Sequence, residues 1–222
     1  MSGKGSDVMR YTGRISSILI VMVIQTSYVI YYFHRDGFVD IVGWLAYPVL
    51  LLISYWTGFQ YDKANYFSER DPLTNLFNRR FMIRRFNKYI KIADSKKKKL
   101  FVLLIDCNGF KQINDEYGHA AGDQVLVKIG KVLNRKRRNV FGSARWGGDE
   151  FIVLGFCDDA EELMCIQLKF KRELNGIRVT EGGSSIAVSI GSALQDGTFG
   201  ETNIHELLQL ADASMYREKR GF

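Results

Sequence analysis

Ala144–Leu154 reads ARWGGDEFIVL, with Gly147 and Gly148 between two short runs that alternate toward strand character. A Gly-Gly pair so placed predicts a β-hairpin, because primed turns need positive φ and glycine reaches it without steric cost. Asp149 and Glu150 follow the turn directly. Successive strand side chains point to opposite faces, so at most one of the two acids faces a given ligand squarely. Acids beside bare glycine backbone at a hairpin tip suit a divalent cation and a polyphosphate. A solvated turn is the alternative that so short a motif leaves open.

Upstream, Lys99–Cys107 (KLFVLLIDC) is a nearly continuous apolar run ending in an acid. That is the pattern of a buried strand delivering Asp106 to its C-terminal end. The next stretch, Asn108–Asp123, is dense in turn residues and polar groups. Ala120–Lys136 predicts an amphipathic helix with Val125, Leu126, Ile129 and Leu133 on one face. The hairpin strands are Val140–Trp146 and Glu150–Phe156. Helices are expected over Asn78–Ala93, Glu161–Leu174 and Asn203–Lys219, the last opening with capping-box spacing at Asn203 and Glu206, and a strand over Ser185–Leu194. Asp71-Pro72 marks a boundary before the first of these helices, since the residue before proline avoids the helical region. The order predicts an α+β fold with a mostly antiparallel sheet covered by helices.

The first 61 residues read differently. Ile15–Phe33 and Ile41–Tyr61 carry no charge, and each is long enough to cross a bilayer as a helix, which takes about 20 residues. Trp44, Tyr47, Tyr55 and Trp56 lie toward the ends of the second run, as interfacial aromatics do, and Pro48 inside it is tolerated in such helices. The alternatives are buried helices of a soluble core and, for the first run, a signal peptide, which would have a shorter apolar stretch and a small-residue cleavage site. Lys4, Arg10 and Arg14 precede the first run, and Lys63, Arg70, Arg79 and Arg80 follow the second. The positive-inside rule therefore puts residues 1–14 and everything after the second span in the cytoplasm of a multi-pass membrane protein. Residues 34–40 are then a short external loop, too small for a sensor domain, and 62–70 a polar connector.

Lys and Arg outnumber Asp and Glu by 31 to 24, a formal net charge of +7. The basic residues fall in small groups without an interleaved aromatic stripe, so no nucleic-acid partner is expected. Solvated surface, or a face toward acidic lipid, accounts for the excess. The three cysteines, Cys107, Cys157 and Cys165, show neither CxxC nor metal-ligand spacing, which fits a reducing compartment.

Five ordered stretches from Asp71 onward, DPLTNLFNRR, IDCNGFKQINDEYGHAAGD, RWGGDEF, SIAVSIGSAL and ADASMYREK, resemble the GGDEF-domain diguanylate cyclases. The resemblance implies a polymerase-palm-like (ferredoxin-like) domain over residues 71–222 that joins two GTP molecules into cyclic di-GMP. It implies two Mg²⁺ (or Mn²⁺) ions per site, held by Asp106, the main-chain carbonyl of Cys107, Asp149 and Glu150, with Asp149 also the general base. Such chemistry needs hard oxygen ligands and metals about 3.5–4 Å apart. Asn114 and Asp123 match the positions that read guanine, and His119 a nucleotide contact. The amides of Gly109, Phe110 and Lys111 would cradle the triphosphate, the Lys111 ammonium would stabilise developing charge, and Lys219 would reach the phosphates. Each domain presents one GTP, so a C₂-like homodimer is implied.

The chain departs from the family pattern at three places. Asn108 replaces the second acid of the usual DxD. The chain stops at Lys219-Arg220-Gly221-Phe222, so the arginine expected past the last helix is missing and weaker triphosphate affinity is expected. The product-inhibition pattern keeps Arg138, but Phe141 stands where its acid belongs, so strong product inhibition is not expected. Arg145 matches a common family arginine without an assigned role. The rival reading is a silent membrane module that binds GTP or a protein partner on the same fold.

Overall fold

A computed structural model describes residues 11–195 and 203–220, apart from the side chains of residues 67 and 218–220. The chain divides into two compact units, Met1–Ser68 and Glu69–Phe222.

In the first unit, α1 (Thr12–Asp36) and α2 (Ile41–Glu69) are long and apolar enough to cross a membrane. Their apolar side chains face outward: Val23 is 66% and Leu52 71% exposed, which a helix buried in a soluble core would not allow. Gly37, at φ 75°, ends α1 and donates its N–H to the Phe33 carbonyl. The two helices are tied by polar contacts. Asp62 accepts from the Gly13 amide at 2.7 Å and pairs with Arg14 at 3.0 Å, capping the positive end of α1. Gln25 donates to the Gly43 carbonyl at 2.7 Å.

The second unit is a mixed five-stranded sheet flanked by helices. Its elements are β1 (Phe77–Asn78), α3 (Arg79–Ser95), β2 (Lys99–Asn108), α4 (Phe110–Tyr117), α5 (His119–Leu133), β3 (Val140–Gly147), β4 (Glu150–Cys157), α6 (Ala160–Asn175), β5 (Ala187–Leu194) and α7 (Ile204–Arg220). The sheet order is β1-β3-β4-β2-β5. All neighbouring pairs are antiparallel except β1 with β3. The expected helices and strands are present with ends shifted by a few residues.

Two features differ from the sequence reading. The polar stretch Asn108–Asp123 is not turn throughout but holds α4, whose half-buried Phe110 and Ile113 pack on the core. Its apolar stripe, Phe110, Ile113 and Tyr117, is only two turns long and is set among turn-forming residues. The short β1 is also added, held parallel to Ala144 and Arg145.

β2 is buried on both faces, and its alternation feeds two cores. Phe101, Leu103, Ile105 and Cys107 pack with α5 and α6, while Leu100, Val102 and Leu104 pack with α3 and α7. Gly191 of β5 allows α7 to lie against the sheet: a Cβ there would stand 1.9 Å from the Ala211 carbonyl and 2.7 Å from the Met215 Cβ. Because the obstacle is backbone, Gly191→Ala is expected to destabilise this unit by about 2 kcal/mol or more. The readout is a lower urea midpoint at unchanged m value; an unchanged midpoint would mean that α7 shifts freely.

Candidate active site

The β2–β4 ladder ends with Asp106 directly opposite Glu150. By alternation both side chains lie on the α3/α7 face, in line with Leu104 and Ile152 of that core. Directly opposite residues in such a pair have Cβ atoms about 4.5–5.5 Å apart, close enough to share a cation. Asp149 sits in the turn just before Glu150 and is, like both of them, half-buried.

On the other side of β2, Asp106 is opposite Ser189 and Asn108 is opposite Ala187. The Ser189 hydroxyl donates to Asn108 Oδ1 at 2.8 Å, so the amide that replaces the family's acid is held by β5. An open cleft of about 550 Å³ here is lined by Asp106, Asn108, Gly109 and Ser189, and also by Lys171 and Asn175 of α6. The sequence reading missed the last two, which sit on an ordinary amphipathic helix with nothing local to mark them.

Cys107 turns its side chain and its main chain in different directions. Val188 donates its N–H to Asn175 Oδ1, and Ile190 accepts at its carbonyl from Gln167 Nε2. Those β5 residues therefore point their main-chain groups away from β2, and their partners Cys107 and Ile105 point theirs toward β4. β4 begins at Glu150, so the Cys107 main chain faces the hairpin tip. Its thiol is buried in the core on the α5/α6 side, where burial, with smaller contributions from Asp149 and Asp106, pushes its pKa up to about 12. The thiol thus points into the core while the main chain faces the tip.

Gly109, at φ 68°, turns the chain from β2 into α4. It is an N-cap without a side-chain acceptor, so the leading amides of the helix, from Phe110 and Lys111 on, stay open to an anion. Lys111 is exposed beside them. Asn114 lies on α4 with its side chain against α5: a Cβ at Gly122 would meet Asn114 Oδ1 at 1.9 Å. Asp123, the next residue, is exposed, as is His119 in the first turn of α5. Lys219 falls in α7, but its side chain lies outside the described residues.

Arg145 acquires a role that the sequence did not supply. Its Nε donates to the Gly148 carbonyl at 2.9 Å, and its Nη1 pairs with Asp71 at 3.3 Å. The Asp71 carboxylate also accepts from the Thr74 amide at 2.8 Å and hydroxyl at 2.7 Å. The Gly-Gly turn is thus braced to the Asp71–Leu76 turn by two half-buried charges. Only the co-occurrence of the two motifs, far apart in the chain, hinted at it.

The acids do not form a closed cage. Among the described residues no three His, Cys, Asp or Glu side chains gather as a metal site. Two carboxylates with a carbonyl nearby and open phosphate-binding amides still fit a hard cation that shares its shell with water and a phosphate substrate, as Mg²⁺ does.

A family model described as diguanylate cyclase, GGDEF domain, matches residues 68–221. Diguanylate cyclase DosC of Escherichia coli is 35% identical over 153 residues, covering 68% of this chain and 33% of that protein. Diguanylate cyclase A of Treponema denticola is 33% identical over 132 residues, covering 60% of this chain and 36% of the relative. The chain therefore spans about a third of the length of these curated relatives. The solved GGDEF domain of TpbB from Pseudomonas aeruginosa superposes with a TM-score of 0.58 at 35% identity, covering 69% of this chain and 90% of that one.

The thiols supply a test of the geometry. Burial also raises Cys157, to about 11, while Cys165 is exposed. At pH 8, iodoacetamide is expected to modify Cys165 alone in the folded chain and all three after unfolding. Peptide mapping reads the result, and label on Cys107 in the folded chain would refute its burial.

Proposed function

The chain belongs to the GGDEF family of diguanylate cyclases, and on that premise we propose that residues 71–222 condense two GTP molecules into cyclic di-GMP. The observation that carries this reading is the pairing of Asp106 with Glu150 at the hairpin tip, with the open amides of α4 directly beyond β2. In each half-reaction a 3′-hydroxyl oxygen bonds to the α-phosphorus of the other GTP, the α–β bridging P–O bond breaks, and pyrophosphate leaves. The two halves release two pyrophosphates and two protons.

Asp149, at the tip, is the base that takes the hydroxyl proton. Asp106, Asp149, Glu150 and the Cys107 carbonyl would hold two Mg²⁺ or Mn²⁺ ions, whose chemistry is to neutralise the triphosphate and acidify the hydroxyl. The amides of Gly109, Phe110 and Lys111 orient the phosphates, and the Lys111 ammonium stabilises charge as the pyrophosphate departs. The Asp123 carboxylate accepts from guanine N1–H and N2–H, a pair adenine lacks, with Asn114 beside it and His119 against the nucleotide. Lys219 reaches the phosphates from α7. Each site holds one GTP, so two copies face each other in a C₂ homodimer. α1 and α2 span the bilayer and keep the catalytic unit in the cytoplasm, where their confinement raises its effective concentration for a second copy.

With GTP and Mg²⁺, detergent-solubilised full-length protein is expected to make cyclic di-GMP, detected by chromatography with mass detection. Asp149→Ala should lower the rate by about 100-fold or more, the usual contribution of a positioned base. Product from neither protein, with GTP still bound, would replace the cyclase with a GTP-binding module.

The departure at Phe141 has a physical shape. Its ring stacks on Tyr89 at 4.8 Å with 7° between planes and lies 5.2 Å from the Phe156 ring. An aromatic packed in this way offers no acceptor to a ligand held by the exposed Arg138. Arg138→Ala is expected to leave the response to added cyclic di-GMP unchanged; low-micromolar inhibition abolished by that change would contradict this.

A further inference from the structure

The outward face of α3 has no part in the chemistry above. Its inward side buries Phe81, Met82, Phe86, Ile90 and Ala93. On the other side Arg80, Arg84, Lys88 and Lys91 are all exposed. At about 100° per residue they fall within an arc of about 80°, a continuous basic stripe about 16 Å long. Asp94, the helix's one acid, borders the stripe about 40° beyond Arg80. Arg84 approaches Glu69 at 3.8 Å, yet its side chain stays 56% exposed. The exposed neighbours on and beside this face are Ile83, Asn87, Asp94 and Ser95, with no aromatic ring to stack on a base.

We propose that this stripe is a docking surface for the headgroups of anionic phospholipids. Charge complementarity argues for it, since four exposed cations, against Glu69 near Arg84 and Asp94 at the edge, match a surface of phosphates. Each Lys or Arg brought near an anionic leaflet raises binding roughly fivefold. Continuity argues for it too: α3 begins a short stretch of chain after the second apolar window, which ends at Tyr66. The tether therefore supplies the stripe with a nearby bilayer. The proposal rests on the reading that α1 and α2 span that bilayer. It makes lipid charge an input to the catalytic unit.

The test uses the full chain in nanodiscs, with Cys165→Ser removing the exposed thiol and Asn87→Cys carrying a fluorophore on the basic face. Quenching by acrylamide, which is uncharged, reports solvent access. In discs containing phosphatidylglycerol the probe is expected to be quenched about twofold less than in pure phosphatidylcholine discs at about 0.1 M salt, with the difference lost at about 1 M. It should also vanish when Arg80, Arg84, Lys88 and Lys91 are all changed to Gln, a good helix former that preserves α3. Retained GTP turnover shows that this variant is folded. Equal quenching in both discs, or protection that survives the four Gln changes, would overturn the proposal. Protection produced by duplex DNA in pure phosphatidylcholine discs would reassign the face to nucleic acid. Failure of the chain to enter discs at all would overturn the spanning reading, and is seen separately as loss of co-purification.

Discussion

A slip of one residue between β2 and β4 would turn Asp106 and Glu150 to opposite sides of the sheet, because side chains alternate with a period of two. The observed register puts them opposite each other. It is fixed by apolar burial on both faces rather than by anything at the site. Phe101, Leu103, Ile105 and Cys107 commit one face of β2 to α5 and α6, and Leu100, Val102 and Leu104 commit the other to α3 and α7. Neither set tolerates exchange with the other, since each faces different helices. The acids inherit their placement from a hydrophobic constraint that runs the length of the strand.

Burial alone leaves the hairpin tip underdetermined, because Gly147 and Gly148 have no side chains to pack. Arg145 supplies what they lack, joining the Gly148 carbonyl to Asp71. Removing either charge would strand the other in a half-buried position, which costs more than the pair itself contributes. The tip is therefore held by polar contacts and the ladder by apolar ones, and they meet between Asp149 and Glu150.

Much of this could be read from the chain in advance, and the reasons are local. KLFVLLIDC is apolar enough to be a buried strand, and the Gly-Gly pair marks a break between two strand-like runs, so β2 and the hairpin were legible; the turn itself is not the primed one expected, since neither Gly147 nor Gly148 takes a positive φ. Helices with an apolar stripe, such as α3 and α5, were legible to within a few residues. α4 was not, because it packs only Phe110 and Ile113 and its sequence is otherwise that of a turn. β1 was not, because two residues held by parallel pairing to β3 carry no periodicity. Within the site, the acids stood out by residue type. The Arg145–Asp71 contact, the Ser189 hydroxyl on Asn108, and Lys171 at the cleft depend on tertiary proximity alone. The family resemblance named the guanine-reading pair; only the structure shows Asn114 pressed against Gly122.

The stacked rings of Tyr89, Phe141 and Phe156 bear on control as well as packing. A producer that senses its own output approaches a set point, and its level resists changes in the number of copies. On the proposed cyclase reading, a producer with Phe141 in place of the sensing acid behaves as an open-loop source. Its steady level scales with how many copies are assembled and how fast the product is destroyed. On that reading the number of copies becomes a control variable, and noise in it passes undamped into the signal.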